Sequence, residues 1–198
     1  MREALAADAV IELFATAEAM QRHPDLVLGA AEISTKDAAG LSETVSPQGL
    51  VAVCRTPTAS LESVISAHPQ LLVLLVEPNE PGNVGAIIRT ADGAGADAVV
   101  LDGGVDAYNG KAVRASAGSI FHLPIVVAST SEVLAAASEM TSLATTGTGP
   151  VDLDRLLDDA TLADPSLWIF GNEAHGLALP IIEAADHAVR VPIYGRAE

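Results

Sequence analysis

Four polar clusters, each close to the end of an apolar run, are where this chain could do chemistry. The first follows Leu71–Val76 and the turn-rich Glu77-Pro78-Asn79-Glu80-Pro81-Gly82. Asn83 is placed to cap a helix there. Val84, Ile87, Ile88 and Ala91 recur at helical spacing, so one face is apolar, and Arg89 projects off it. An Asn, a close-approach Gly85 and an Arg around a helix start, beyond a strand's C-terminal end, suit a phosphate or a carboxylate. A capping Asn with a solvated Arg explains the same residues. Gly82-Asn83-Val84-Gly85 does not fit the dinucleotide fingerprint G-x-G-x-x-G.

The second cluster runs from Tyr108 to Ser119. Lys111 and Arg114 are helical neighbours, and Ser116 and Ser119 add hydroxyls, a pattern that fits either anion contacts or a solvated helix start. The third, Thr145-Thr146-Gly147-Thr148-Gly149-Pro150, is a Gly- and Thr-rich loop directly after a strand, able to receive a small ligand or to serve as a plain turn. The fourth, Phe170-Gly171-Asn172-Glu173-Ala174-His175-Gly176-Leu177, crowds an amide, a carboxylate and an imidazole into a strand-to-helix turn. Glu173 and His175 lack further ligands for a metal site. Phosphate sits awkwardly beside Glu173, and an amphoteric ligand fits better.

The elements that must position these clusters alternate steadily from Leu71 onward. Strands are expected at 71–76, 97–101, 124–128, 142–146, 167–170 and 188–191. Helices are expected near 84–92, 111–119, 131–139, 153–160 and 178–186. This is an α/β domain with a mainly parallel sheet and helices on both faces. Residues 1–55 form a smaller α/β unit: Glu3–Ala7 and Ala17–Arg22 helical, Ile11–Phe14 and Asp25–Leu28 extended, then a helix Thr35–Glu43 and a strand Gly49–Cys54. Its first element has no preceding partner, as if an upstream piece were missing. Residues 56–70, with Pro57 and Pro69, read as a linker to the domain at 71–198.

Composition narrows the function. Of 198 residues 49% are apolar and only 3% aromatic, so a sizeable core must be built from aliphatic side chains. The formal net charge of −16 argues against sequence-blind nucleic-acid binding, while leaving room for a local basic site from Arg89, Lys111 and Arg114. A single cysteine, Cys54, allows no internal disulfide and no Cys-based metal site. No membrane span or signal peptide is evident, and a reducing cytoplasm is the natural setting.

Taken together, these stretches resemble the SpoU/TrmH-type branch of the SPOUT RNA methyltransferases. Asn83, Gly85 and Arg89 match the first family motif, Asn-x-Gly-x-x-x-Arg. Gly171, Asn172, Glu173, Gly176 and Leu177 match the second. Val191, Pro192, Ile193, Tyr194 and Gly195 match the opening of the third. Ser46-Pro47-Gln48-Gly49 is similar to the lead-in to this domain, and residues 1–55 to the small domain with which many members bind RNA.

The resemblance implies a deep trefoil knot, a homodimer with the active site beside its interface, and S-adenosylmethionine as methyl donor. Thr146, Gly147, Gly171, Val191 and Ile193 would line the donor pocket. Asn83, Arg89 and Glu173 would face an RNA ribose, with Lys111, Arg114 and Ser116 as phosphate contacts and no metal. The implied reaction is methyl transfer to a ribose 2′-hydroxyl of rRNA or tRNA. Arg89 would clamp phosphate and stabilise a developing alkoxide rather than act as base, leaving the proton acceptor open. Rival readings are a catalytically silent RNA-binding relative, or an unrelated α/β nucleotide-binding enzyme. After Gly195 the chain reads Arg196-Ala197-Glu198, where the family continues with a Ser-Leu-Asn segment and a final helix, so a portion of a longer protein is expected.

Overall fold

The computed structural model describes residues 1–42, 47–158 and 160–195. They divide into two compact units, Met1–Pro57 and Thr58–Glu198.

The first unit runs α1 (Arg2–Ala6), β1 (Val10–Ala15), α2 (Ala17–Arg22), β2 (Ala31–Glu32), α3 (Thr35–Leu41) and β3 (Leu50–Cys54). Its sheet has the order β2-β1-β3, parallel between β1 and β2 and antiparallel between β1 and β3. Side-chain caps start the helices: Thr16 accepts from the Ala19 N–H and Ser34 from the Asp37 N–H. Among the described residues of this unit the buried apolar ones are Ala4, Ala9, Leu13, Ala15, Ala19 and Ala38, mostly methyl groups. The expected extended piece Asp25–Leu28 is turn instead, and the strand comes later, at Ala31–Glu32. Glu43 and Ser46, which entered the helix and lead-in expectations, lie outside the described residues.

The second unit begins with α4 (Leu61–Ser66), inside the segment expected to be a linker; Ser60 caps it and Val64 is buried in this unit's core. Then come β4 (Leu71–Val76), α5 (Pro81–Gly93), β5 (Ala98–Asp102), α6 (Gly110–Ala115), β6 (Ile125–Val127), α7 (Thr130–Ala136), β7 (Thr141–Thr145), β8 (Val151–Asp152), α8 (Leu153–Asp158), β9 (Ser166–Phe170), α9 (Leu179–Ala184) and β10 (His187–Arg190). The sheet order is β6-β5-β4-β9-β7-β10-β8. Every pairing among the described strands of this sheet is parallel.

Strand β4 shows why the sequence reads as an unbroken apolar run. Leu72, Leu74 and Val76 enter one core layer, with Val64, Val133 and Ile169. Val73 and Leu75 enter the other, with Val84, Ile88 and Ile120. A period of two, covered on both faces, makes every position apolar.

Strand β10 lies between β7 and β8, although those two are consecutive in the chain. The connection between them therefore crosses β10. Thr146 donates its N–H to Val189 O at 2.9 Å. A Cβ on Gly149 would stand 2.7 Å from Ala188 O, so only glycine lets the two backbones cross this closely.

Carboxylates at strand ends tie the layers together. Asp97 accepts from the Gln70 and Leu71 N–H groups at 2.6 and 2.9 Å. Asp102 accepts from the Thr130 N–H and hydroxyl at 2.8 and 2.5 Å. Asp186 accepts from the Ser142 N–H and hydroxyl at 2.8 and 2.6 Å, and these bonds hold its carboxyl below the usual range.

Candidate active site at the β4–β9 crevice

From β4 the chain moves outward through β5 to β6, whereas β9 has β7 on its other side. The crevice beyond the C-terminal ends of β4 and β9 is thus a topological switch point, where open parallel sheets bind ligands. The first and fourth sequence clusters meet there.

Helix α5 starts earlier than expected. Pro81 occupies its first turn, a position for which its fixed φ and missing N–H suit it, and Glu80 is the N-cap without a side-chain cap bond. Asn83 is therefore inside the helix and does not cap it. The cap comes from across the crevice. Glu173 Oε2 accepts from the Asn79 N–H at 3.0 Å, and Oε1 accepts from the Glu80 N–H at 3.3 Å and from Asn83 Nδ2 at 3.0 Å. The anion site expected at this helix start is thus filled by the protein's own carboxylate. The Asn79 backbone N–H, with lesser help from Asn83 and Glu80, holds the Glu173 carboxyl below its ordinary value.

Asn172 fixes the loop that delivers Glu173. Its Nδ2 donates to Glu77 O at 2.7 Å and its Oδ1 accepts from the Ala174 N–H at 2.8 Å. Gly171 is required by close approach, since a Cβ there would meet the backbone of Gly176 and Leu177 at 2.3–2.6 Å. Leu75, Pro78, Asn83, Ala86, Ile87, Gly171 and Glu173 enclose a small cavity of about 190 Å³. Arg89, exposed on α5, has no hydrogen-bond or ion-pair partner among the described residues, which leaves its guanidinium available to a ligand. Lys111 pairs with Glu80 at 2.8 Å, over the start of α5.

Three expectations need correction. Gly85 does not approach a ligand: a Cβ there would meet Ala112 O at 2.2 Å and Ala115 Cβ at 2.6 Å, so it is the seat of α6 on α5. Ser116 is fully buried and donates to Val113 O at 2.8 Å, which removes it from any phosphate-binding surface. The expected helix 111–119 ends at Ala115, because Ala117 and Gly118 both take positive φ. Arg114 is exposed on α6.

The residues expected to line one donor pocket divide between two cavities. Gly147, Val191 and Ile193 border a cavity of about 680 Å³, together with Pro192, Tyr194, Arg190 and the carboxylates Asp152, Asp154 and Asp158. Gly171 borders the smaller crevice cavity instead. Thr146 is partly buried beside β10. His175 is exposed, and among the described residues no three His, Cys, Asp or Glu side chains gather as a metal site. Sequence reasoning missed the Glu80–Lys111 pair and the bidentate contact of Arg190 with Asp152. The Arg190–Asp152 register partners on β10 and β8 could not be read before strand order was known.

Residues 70–198 match the model of the SpoU rRNA methylase family. The chain belongs to the SpoU family. Its relatives include a 23S rRNA guanosine 2′-O-methyltransferase of Bacillus subtilis, 37% identical over 80% of this chain and 61% of the relative. Another is a 23S rRNA uridine 2′-O-methyltransferase of Streptomyces viridochromogenes, 34% identical over 88% of this chain and 59% of the relative. The chain thus spans about three fifths of the length of these curated relatives. Among solved structures, the SpoU methyltransferase AviRb from Streptomyces viridochromogenes, in complex with AdoMet, superposes with a TM-score of 0.83 at 27% identity, covering 100% of this chain and 79% of that one. The mainly parallel seven-stranded sheet is the fold these SpoU structures share.

Proposed function

We propose that this chain belongs to an RNA ribose 2′-O-methyltransferase that takes its methyl group from S-adenosylmethionine and acts on ribosomal RNA. The observation that carries the reading is the meeting of Asn83 and Glu173 at the switch-point crevice, with Arg89 on the same helix unpaired among the described residues. The relatives' names support the reaction, and the rRNA named in them supports the substrate class.

The residues present suit the donor's chemistry. Val191 and Ile193 are exposed apolar side chains for its adenine, and the same cavity sets Asp152, Asp154 and Asp158 against Arg155 and Arg190, with Arg190 neutralising Asp152, so carboxylates are in excess by one. When bound, the donor supplies an electrophilic methyl on a positively charged sulfur. The chain must place a ribose hydroxyl and relieve the charge that grows on its oxygen. Glu173 holds Asn83 by its Nδ2, which leaves Asn83 Oδ1 free to accept from a hydroxyl and orient it. The Arg89 guanidinium stabilises the developing alkoxide or an adjacent phosphate. Glu173 then acts through Asn83 and the α5 backbone, as a positioning residue. Lys111 and Arg114 add phosphate contacts.

The exposed Leu157 and Leu179, outside the donor cavity, support a homodimer, in which such surface would be covered. No helix of the described residues is long and apolar enough to cross a membrane. With one cysteine in 198 residues, that supports work in the cytoplasm.

The test is transfer of labelled methyl from S-adenosylmethionine to 23S rRNA, with bulk tRNA in parallel, followed by digestion to nucleosides. Label in a 2′-O-methyl nucleoside from rRNA is expected. RNA binding without transfer, in a chain that binds the donor, would sink the enzymatic reading in favour of a silent RNA-binding relative.

A further inference from the structure

A second opening lies beyond the ends of β5 and β6. It is a cavity of about 330 Å³, walled by Leu101, Val105, Ala107, Ile125 and Val127, with Asp106 and Tyr108 also lining it. None of these residues has a part in the crevice chemistry. The loop that forms it is fixed to the crevice, because Val105 donates its N–H to Pro78 O at 2.9 Å. A Cβ on Gly104 would stand 2.4 Å from that same oxygen, so the loop rests directly on the segment whose next two N–H groups hold Glu173. On its other side the loop runs into Lys111, which reaches back to Glu80. The cavity and the crevice are therefore two sides of one short stretch of backbone.

The chemistry of the cavity selects its occupant. Its aliphatic walls favour a flat ring over a charged group. Tyr108 is half-buried, and its N–H donates to Asp106 Oδ1 at 2.9 Å, which fixes the turn that carries the ring. Burial, aided by Asp106, pushes the phenol up to about 12, so the ring stays neutral at any working pH. A neutral, anchored aromatic is a stacking platform for an unpaired base. The Asp106 carboxylate offers acceptors only and repels phosphate. Among the RNA bases, guanine presents two adjacent donors, N1–H and the 2-amino group, that a carboxylate can accept together.

We propose that this cavity receives a guanine base of the RNA strand whose ribose lies in the crevice, with Tyr108 stacking on the ring and Asp106 accepting from its donor edge. The proposal rests on the RNA-modifying reading and adds a base preference to it.

Methyl-detected NMR of the full chain, titrated separately with GMP, AMP, CMP and UMP, tests it. GMP is expected to shift the Val105, Ile125 and Val127 methyls and to bind about tenfold more tightly than UMP, the discrimination one bidentate contact gives. Asp106→Asn should remove that preference, and Tyr108→Ala should weaken all four nucleotides. Tyr108→Phe, which keeps the ring, should bind as the parent does, separating stacking from misfolding. Equal affinity for the four nucleotides, no shift with any, or a preference that survives Asp106→Asn would overturn the proposal. Labelled methyl transfer followed on the same preparation keeps the two readings apart. Transfer without guanine-selective shifts overturns the base site alone, and guanine-selective shifts without transfer overturn the proposed activity alone.

Discussion

At the scale of single residues, Glu173 and Arg89 divide the work of the crevice. Glu173 is spent on the protein itself, holding two backbone N–H groups and Asn83, while Arg89 is exposed and has no partner among the described residues. Arg89→Ala should therefore cut methyl transfer by about 100-fold or more, the scale of losing one transition-state charge donor. Donor affinity measured by calorimetry should stay near the parent's; a large loss there would refute the assignment. Glu173→Gln should lower stability by about 1 kcal/mol, as the loss of a helix cap does. The parent's dependence on acid follows from the direction of the Glu173 shift. Its carboxyl is lowered from an ordinary 4.5, so its contribution is complete above that pH and is lost as the pH falls through the lowered folded-state value. Acid titration of helix α5 by amide exchange should show this loss in the parent and not in Glu173→Gln. These roles were only partly legible. The Asn-x-Gly-x-x-x-Arg and Gly-Asn-Glu patterns mark the right residues, but nothing local says that the carboxylate closes on backbone 90 or more positions away.

At the scale of elements, apolar periodicity located the longer strands of the second unit closely, because burial on both faces leaves β4, β5 and β9 little choice of side chain, but it missed the two-residue β2 and β8, too short to carry a period. Helix ends were harder. Pro81 was available as a first-turn signal, yet Asn83 offered a competing cap, and the proline won. Helix α4 hid among serines, threonines and prolines, and only its packing on the sheet reveals it. Gly85 was misread because a missing Cβ has the same signature whether a ligand or a helix fills the space. Two glycines of α5 make that distinction measurable. Gly85→Ala forces a Cβ into Ala112 O and should cost about 1–3 kcal/mol by chemical denaturation. Gly93→Ala meets nothing within 4 Å and should gain about 0.4–1 kcal/mol by restricting the unfolded chain. Equal effects at the two sites would show that α6 does not seat on α5 as described.

At the scale of the whole molecule, two unlike cores share one chain. The first unit buries mostly alanines, whereas the second buries leucines, isoleucines and valines on both faces of a long sheet. Amides of β1 and β3 should therefore exchange with deuterium well before those of β4, β5 and β9; uniform protection would contradict it. The charge of −16 and the few exposed cations in the second unit set a modest electrostatic footprint. If Arg89, Lys111 and Arg114 are the phosphate contacts, the log–log slope of RNA affinity against salt should be roughly −2 to −3. A slope twice as steep would require cations elsewhere. The crossing of β10 beneath the Thr146–Pro150 connection has a kinetic consequence. A strand that must pass under a bridge already spanning it cannot dock by simple collapse, and the bridge cannot tighten until the strand is through. The order of events is thereby restricted: β7 and β8 come from the ribosome first, their link must stay slack, and the later segment enters last. Refolding from denaturant should end in a slow, concentration-independent phase in which the Thr146 amide gains protection together with Val189. Unfolding should be slow for the same reason, because leaving the native state means withdrawing β10 from between β7 and β8 and from beneath the link that crosses it.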